Sequence, residues 1–334
     1  MNHANVNLFI VRTPLQLFNC MEARKRFHAD EQNLLLIYFK KSIDADIMRQ
    51  MLDDKWTHIT WYHFSGIRQQ LYPWLLPKSI RSLAGKIKAL YLGLISHIPR
   101  HLANVLQPSW VCLVDDGNET IMLSKRIEYY RKNEIENPRL KDKLLGKHTG
   151  TECFKNMCYF SAYDLPEIVE EEKILNDYRH FKSHLCALPQ KQAFVFIGSN
   201  LVGSYIKSQM LLLDALTEVA QINIGKQLFY APHRYEDRET LKRISELGYE
   251  LLSFNTIIEL GFANAGWLPS KIATLRSTAL DLLMSIYGLD GEVYRLPDEQ
   301  FNPEKLAEMH ALYQDYERRG VHIIDIKNPV DGPA

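Results

Sequence analysis

Short, unbroken apolar runs recur along this chain, separated by longer segments of mixed polarity. In the first half they are "VNLFIV" (6–11), "NLLLIYF" (33–39), "HITWYHF" (58–64) and "WVCLV" (110–114). In the second they are "QAFVFIG" (192–198), "KQLFY" (226–230), "YELLSF" (249–254), "SKIATL" (270–275) and "EVYRL" (292–296). A run that is apolar at successive positions cannot keep one face in water, so it belongs to a parallel strand covered on both faces. Helical patterns lie between the runs, over 15–27, 43–52, 203–220, 236–247 and 277–287. Two successive β-α series predict an α/β protein of two doubly wound, Rossmann-type domains, with ligands where the strand ends face a cleft. The 334 residues agree, at ~150 residues per domain. The boundary is expected in the charged, irregular stretch 165–191, giving domains 1–185 and 186–334.

Charge and cysteine content exclude several classes. Acids and bases balance at 40 each, so no global field draws in nucleic acid or an anionic membrane. Five cysteines, without CxxC spacing, argue for a reducing, cytoplasmic setting and against a disulfide framework or a zinc site. The opening "MNHANVNLFIVRTP" lacks the pattern of a signal peptide. No apolar stretch approaches the ~18 residues of a spanning helix. The segment 78–106, with Lys78, Arg81, Lys86, Lys88 and Arg100 among apolar residues, reads as a pair of helices covering the first sheet. Its second reading is a basic amphipathic helix touching the inner membrane peripherally.

Polar residues gather just beyond four of the runs. "WVCLV" releases the chain into Asp115-Asp116-Gly117. Adjacent carboxylates raise one another's pKa and suit a general base or a divalent metal, while taken alone the pair is more simply an Asx turn with Gly117 at positive φ. Gly198-Ser199-Asn200 forms a turn that could bring backbone amides near a ligand, without the full GxGxxG of a dinucleotide site. "FYAPHRYED" supplies His233 and Arg234, a proton donor and a cation. Ser277 and Thr278 stand at a helix start, where hydroxyls and unpaired N–H groups bind anions; alone, Ser277 is a plain N-cap. Together, base, acid, cation and anion site divide between two α/β halves as in a two-Rossmann, GT-B-like glycosyltransferase.

On these residues the chain resembles the bacterial lipooligosaccharide sialyltransferases of glycosyltransferase family 52, and more loosely other bacterial sialyl- and polysialyltransferases. Their acid-acid-Gly, histidine-centred and Ser/Thr motifs stand here as Asp115-Asp116-Gly117, Pro232-His233-Arg234 and Ser277-Thr278, in order over about 6–285. "VRTPLQLFNCMEA" also looks like the family's first strand and helix. The resemblance implies inverting, metal-independent transfer, with no cofactor, from a CMP-sugar donor, usually CMP-sialic acid. The acceptor would be a glycan or glycolipid hydroxyl, such as a terminal galactose of lipooligosaccharide. The first domain would hold the acceptor and the second the nucleotide sugar. It further implies that His233 serves the departing phosphate, that Ser277 and Thr278 hold that phosphate, and that Glu259 accepts bonds from the ribose.

Two positions depart from the family. Arg234 replaces the usual proline after the histidine. Asn200-Leu201 occupies the place where a well-studied kind of relative carries its acidic base. Base duty then falls to Asp115 or Asp116, without indication of which. Other readings are a relative using another CMP-nonulosonate or UDP-glucose, and a nucleotide- or glycan-binding module that has lost its base. A homodimer is among the oligomeric states these readings allow.

Overall fold

The computed structural model describes residues 6–132, 140–155, 157–185 and 187–327. The chain divides into two compact units, Met1–His184 and Leu185–Ala334. Each is an α/β unit around one parallel sheet.

In the first unit, β1 (Val6–Val11) leads through α1 (Pro14–Phe27) to β2 (Gln32–Phe39), α2 (Ser42–Met51) and β3 (His58–His63). Three short helices follow, α3 (Gly66–Gln70), α4 (Tyr72–Leu75) and α5 (Lys78–Arg81), before β4 (Ile87–Leu92), α6 (His97–Leu106) and β5 (Trp110–Val114). The remainder comprises α7 (Asn118–Lys132), α8 (Leu140–Leu144), β6 (Met157–Ser161), β7 (Lys173–Leu175) and α9 (Arg179–Lys182). Strand order is β3-β2-β1-β4-β5-β6-β7, with parallel pairings throughout. The order reverses between β1 and β4, the switch point at which such sheets open a crevice beyond their carboxyl ends. The central strands are dry: Leu8, Phe9, Ile10 and Val11 are fully buried.

The second unit runs β8 (Gln190–Ile197), α10 (Gln209–Ile222), β9 (Gln227–Ala231), α11 (Arg238–Glu246) and β10 (Glu250–Leu251). It continues with α12 (Ile258–Ala265), β11 (Leu268–Thr274), α13 (Thr278–Tyr287), β12 (Gly291–Arg295), α14 (Pro303–Arg318) and β13 (His322–Asp325). The order β10-β9-β8-β11-β12-β13 places its switch point between β8 and β11. Its core is built on Phe194, Val195 and Phe196, with Leu212, Leu216 and Leu283 packed against them.

The segment 78–106 is corrected. It is neither a helix pair nor one amphipathic helix, because β4 lies inside it and pairs with both β1 and β5 at the centre of the sheet. Of the basic residues that suggested a helical surface, Lys86 and Lys88 sit at the entrance of β4, where Lys88 is exposed and bonds Glu31 at 2.9 Å, while Lys78 and Arg81 lie on α5 and Arg100 on α6. Burial between two strands overrides the local pattern. Two smaller differences have local causes. α10 starts at Gln209 rather than 203, because Leu201 and Ile206 turn inward to the core. "YELLSF" contributes only a two-residue edge strand. No helix among the described residues is long and apolar enough to cross a membrane.

Candidate functional site

In the first unit the chemistry collects beyond β1, β4 and β5. Thr13 caps α1 with its hydroxyl accepting from the Gln16 N–H at 3.2 Å, and Pro14 fits the first helical turn, where its missing N–H costs nothing. The same Thr13 hydroxyl donates to Asp116 Oδ1 at 2.9 Å, and Gln16 Nε2 donates to Asp116 Oδ2 at 2.7 Å. Gln16 cannot flip its amide freely, since its Oε1 accepts the Arg12 N–H at 2.7 Å. Gly93, just after β4, leaves the space this side chain fills; a Cβ there would overlap Gln16.

The two aspartates are thereby told apart. Asp115 is fully buried, with Ser161 Oγ donating to Oδ1 at 2.6 Å and the Ala162 N–H donating to Oδ2 at 2.7 Å. Asn19 anchors its carbonyl at 3.0 Å. Its partners belong to β6 and the residue after it, so it ties two strands together. Burial pushes its carboxyl up to about 7 against those hydrogen bonds. Asp116 is half-buried and leans toward the start of α1; burial raises it too, opposed by Gln16 and Thr13. Gly117 adopts φ +67°, the left-handed turn that glycine permits.

In the second unit, the turns after β9, β8 and β11 stand side by side in the sheet order, and hydrogen bonds lock them together. Ser199 Oγ donates to the carbonyl of Arg276, joining the β8 turn to the residue before Ser277. Thr274 Oγ1 donates to the Ile197 carbonyl at 2.9 Å. Between the β8 and β9 turns lies Glu236, unforeseen from the sequence. Its Oε1 accepts the Tyr230 hydroxyl and its Oε2 the His233 N–H, each at 2.6 Å. Gly198 packs directly over this pair: an added Cβ would sit 2.5 Å from the Tyr230 oxygen and 2.6 Å from Glu236 Oε2. Burial pushes Glu236 up to about 7. The available signal was its place three residues after the histidine, which a turn from 233 to 236 brings back beneath it; the Glu236 N–H donates to the His233 carbonyl at 2.9 Å.

His233 is half-buried, and its Nδ1 accepts the Tyr235 N–H at 3.3 Å. In the neutral ring the proton therefore resides on Nε2, the donor tautomer. Arg234 lies with its guanidinium carbon 4.8 Å from the Tyr235 ring centre. Glu259, in the first turn of α12, is buried; that burial lifts it to about 7, opposed by its own backbone N–H and by Arg234. Ser277 is the N-cap of α13, its Oγ accepting from the Ala279 N–H at 3.3 Å, and Thr278 begins the helix. Asn200 is exposed, but Leu201 is 3% exposed and belongs to the core. An acid at 201 would be driven into that core, so the side chain there anchors the turn. Among the described residues, no group of three or more His, Cys, Asp or Glu side chains could hold a metal ion.

No family model and no curated protein matches this sequence. Solved structures do. The α/β-galactoside α-2,3-sialyltransferase of the luminous marine bacterium Photobacterium phosphoreum is similar over 96% of this chain and 98% of its own, at TM-score 0.54 and 12% identity. The GT-B domain of the Photobacterium damselae sialyltransferase is similar over 96% and 99%, at TM-score 0.54 and 12% identity. Phytolacca americana UGT2, complexed with UDP-2-fluoro-glucose and pterostilbene, is similar over 98% and 87%, at TM-score 0.50 and 11% identity. At such identities the likeness is one of fold: two parallel-sheet Rossmann-like units of the GT-B kind.

Proposed function

We propose that this chain is an inverting, metal-independent glycosyltransferase that moves sialic acid from CMP-sialic acid to a sugar hydroxyl of a surface glycan such as lipooligosaccharide. The carrying observation is the contrast between the two aspartates. Asp115 is spent on joining strands, whereas Asp116 is aimed by Thr13 and Gln16 and stays half-buried. Asp116 removes the acceptor proton as the acceptor oxygen bonds to the anomeric carbon and the bond to the CMP phosphate breaks. His233 donates from Nε2 to the departing phosphate oxygen, with Arg234 and the α13 start at Ser277 and Thr278 supplying positive potential where charge grows. Glu259 takes the ribose hydroxyls, and the backbone of Gly198, Ser199 and Asn200 borders the nucleotide. The first unit thus serves the acceptor and the second the donor. The cysteine content favours action in the cytoplasm.

A second reading is the same fold using UDP-glucose, favoured by the likeness to UGT2 with its UDP-sugar analogue. Calorimetry in EDTA with CMP, UDP and their sugars separates the two. CMP should bind without metal and, at a hundredfold over Kd, stabilise the fold by about 2.7 kcal/mol. Binding of UDP alone moves the assignment to the second reading. Binding of CMP with neither transfer nor donor hydrolysis leaves a nucleotide-binding module.

A further inference from the structure

In a chain whose acids and bases balance, the stretch 55–114 carries no Asp or Glu; its charges are Lys55, Arg68, Lys78, Arg81, Lys86, Lys88 and Arg100. Three of these, Arg68, Lys78 and Arg81, are exposed on α3 and α5, and α8 adds exposed Lys141 and Lys143. None of these five is ion-paired among the described residues; the one acid on α8, Asp142, faces Lys147 at 4.0 Å. The same elements expose large apolar side chains: Ile67 (66%), Trp74 (62%), Leu75 (44%), Leu140 (74%) and Leu144 (77%). They form one surface. Trp74 Nε1 donates to the Leu145 carbonyl at 3.1 Å, and the indole lies so close to Gly146 that a Cβ there would be 3.1 Å from the ring. Gly146 also adopts φ +69°, so both space and backbone suit glycine at this joint.

We infer that this face, α3 to α5 with α8, docks on a membrane containing anionic phospholipid. Exposed tryptophan and aliphatic side chains lose little by entering the interface between headgroups and acyl chains, and cations without an acidic partner around them gain from lipid phosphates. A second copy of the chain fits poorly, since a two-fold contact would set this basic face against itself. Nucleic acid would use the cations but gives Ile67, Leu140 and Leu144 no partner. The inference does not depend on the proposed chemistry. It also replaces the amphipathic-helix reading of 78–106, placing the contact on the short helices α3 to α5 and α8.

Vesicle co-sedimentation of the full chain tests it. The protein should bind phosphatidylcholine vesicles containing phosphatidylglycerol, bind pure phosphatidylcholine weakly, and release as salt rises. Arg68→Gln with Lys78→Gln should weaken partition about thirtyfold, since each basic residue near an anionic surface is worth roughly fivefold. Trp74→Ser with Leu75→Ser should weaken it on both kinds of vesicle. Brominated lipid should quench tryptophan emission, an effect lost in Trp74→Phe. These positions are exposed, so unchanged melting curves will show that the variants fold. Absence of binding at low salt overturns the inference, as does binding that ignores both pairs of substitutions. Self-association abolished by the Trp74 and Leu75 changes without vesicle binding assigns the face to a second copy instead. Capture of short RNA in place of vesicles likewise overturns it.

Discussion

Glu236 grips the backbone of His233: its Oε2 accepts the His233 N–H at 2.6 Å while its Oε1 accepts the Tyr230 hydroxyl at the same distance. The carboxyl thus fixes where the β9 turn carries the imidazole. Glu236→Ala should loosen that turn and weaken CMP binding and turnover together. Glu236→Gln should restore most of both, because its amide oxygen can face the His233 N–H while its NH₂ donates to Tyr230. Titration calorimetry on the two variants checks this. Equal affinities for wild type, alanine and glutamine variants would show that the grip does not matter to the nucleotide.

The two aspartates should respond differently to substitution. Asp116→Asn should abolish transfer and leave CMP affinity intact, because a base acts on the acceptor. Asp115→Asn weakens the acceptor pair that holds Ser161 and Ala162, and should cost stability, on the order of 1–3 kcal/mol. Kinetics together with urea melts decide it. Normal turnover by Asp116→Asn removes the base assignment.

His233→Ala should lower kcat by roughly 10²–10⁴-fold if proton donation is its main role. The fold should survive, since Glu236 binds the backbone and not the ring at this position. The measurement is steady-state kinetics beside a melting curve. An unfolded variant would mark the histidine as structural.

Gly198→Ala should be strongly destabilising for one methyl group. The new Cβ meets Tyr230 and Glu236, both held by their mutual hydrogen bond, so neither side chain can yield without breaking it. Thermal unfolding tests this. A variant as stable as the wild type would mean that the β8 turn has slack the geometry does not show.

Stability should carry a pH signature from Glu259, lifted from 4.5 to about 7 in the folded chain. The folded state binds this proton more tightly than the unfolded one. Its contribution is therefore complete below about pH 4.5 and is lost as pH rises through about 7. His28, His97 and His101, all shifted down, act in the opposite sense on the acid side, so a difference is the clean measurement. Without ligand, Glu259→Gln should gain on the wild type from pH 5 to about 7 and level off above that. A gap that does not vary with pH would refute the shift.

What the sequence determined by itself was the α/β class and the strand ends at which polar residues gather. Unbroken apolar runs such as "WVCLV" and "QAFVFIG" can be dry only inside covered parallel sheets, and polar residues at their ends must then lie along one edge. Hence Asp115, His233 and Ser277 could be singled out from local pattern alone. The strand β4 could not, because "IKALYL" has no local feature that separates a strand from a buried helix; pairing with β1 and β5 made it one. Nor could the division of labour between Asp115 and Asp116. It rests on Ser161 and Ala162, 46 and 47 positions away, and on Thr13 and Gln16, 103 and 100 positions away. Glu236 was hidden for the same reason: its carboxyl matters only because Tyr230, Gly198 and the His233 backbone converge on it. Periodicity is written along the chain, whereas a hydrogen-bond partner is chosen by whichever groups the folded sheet brings within 3 Å.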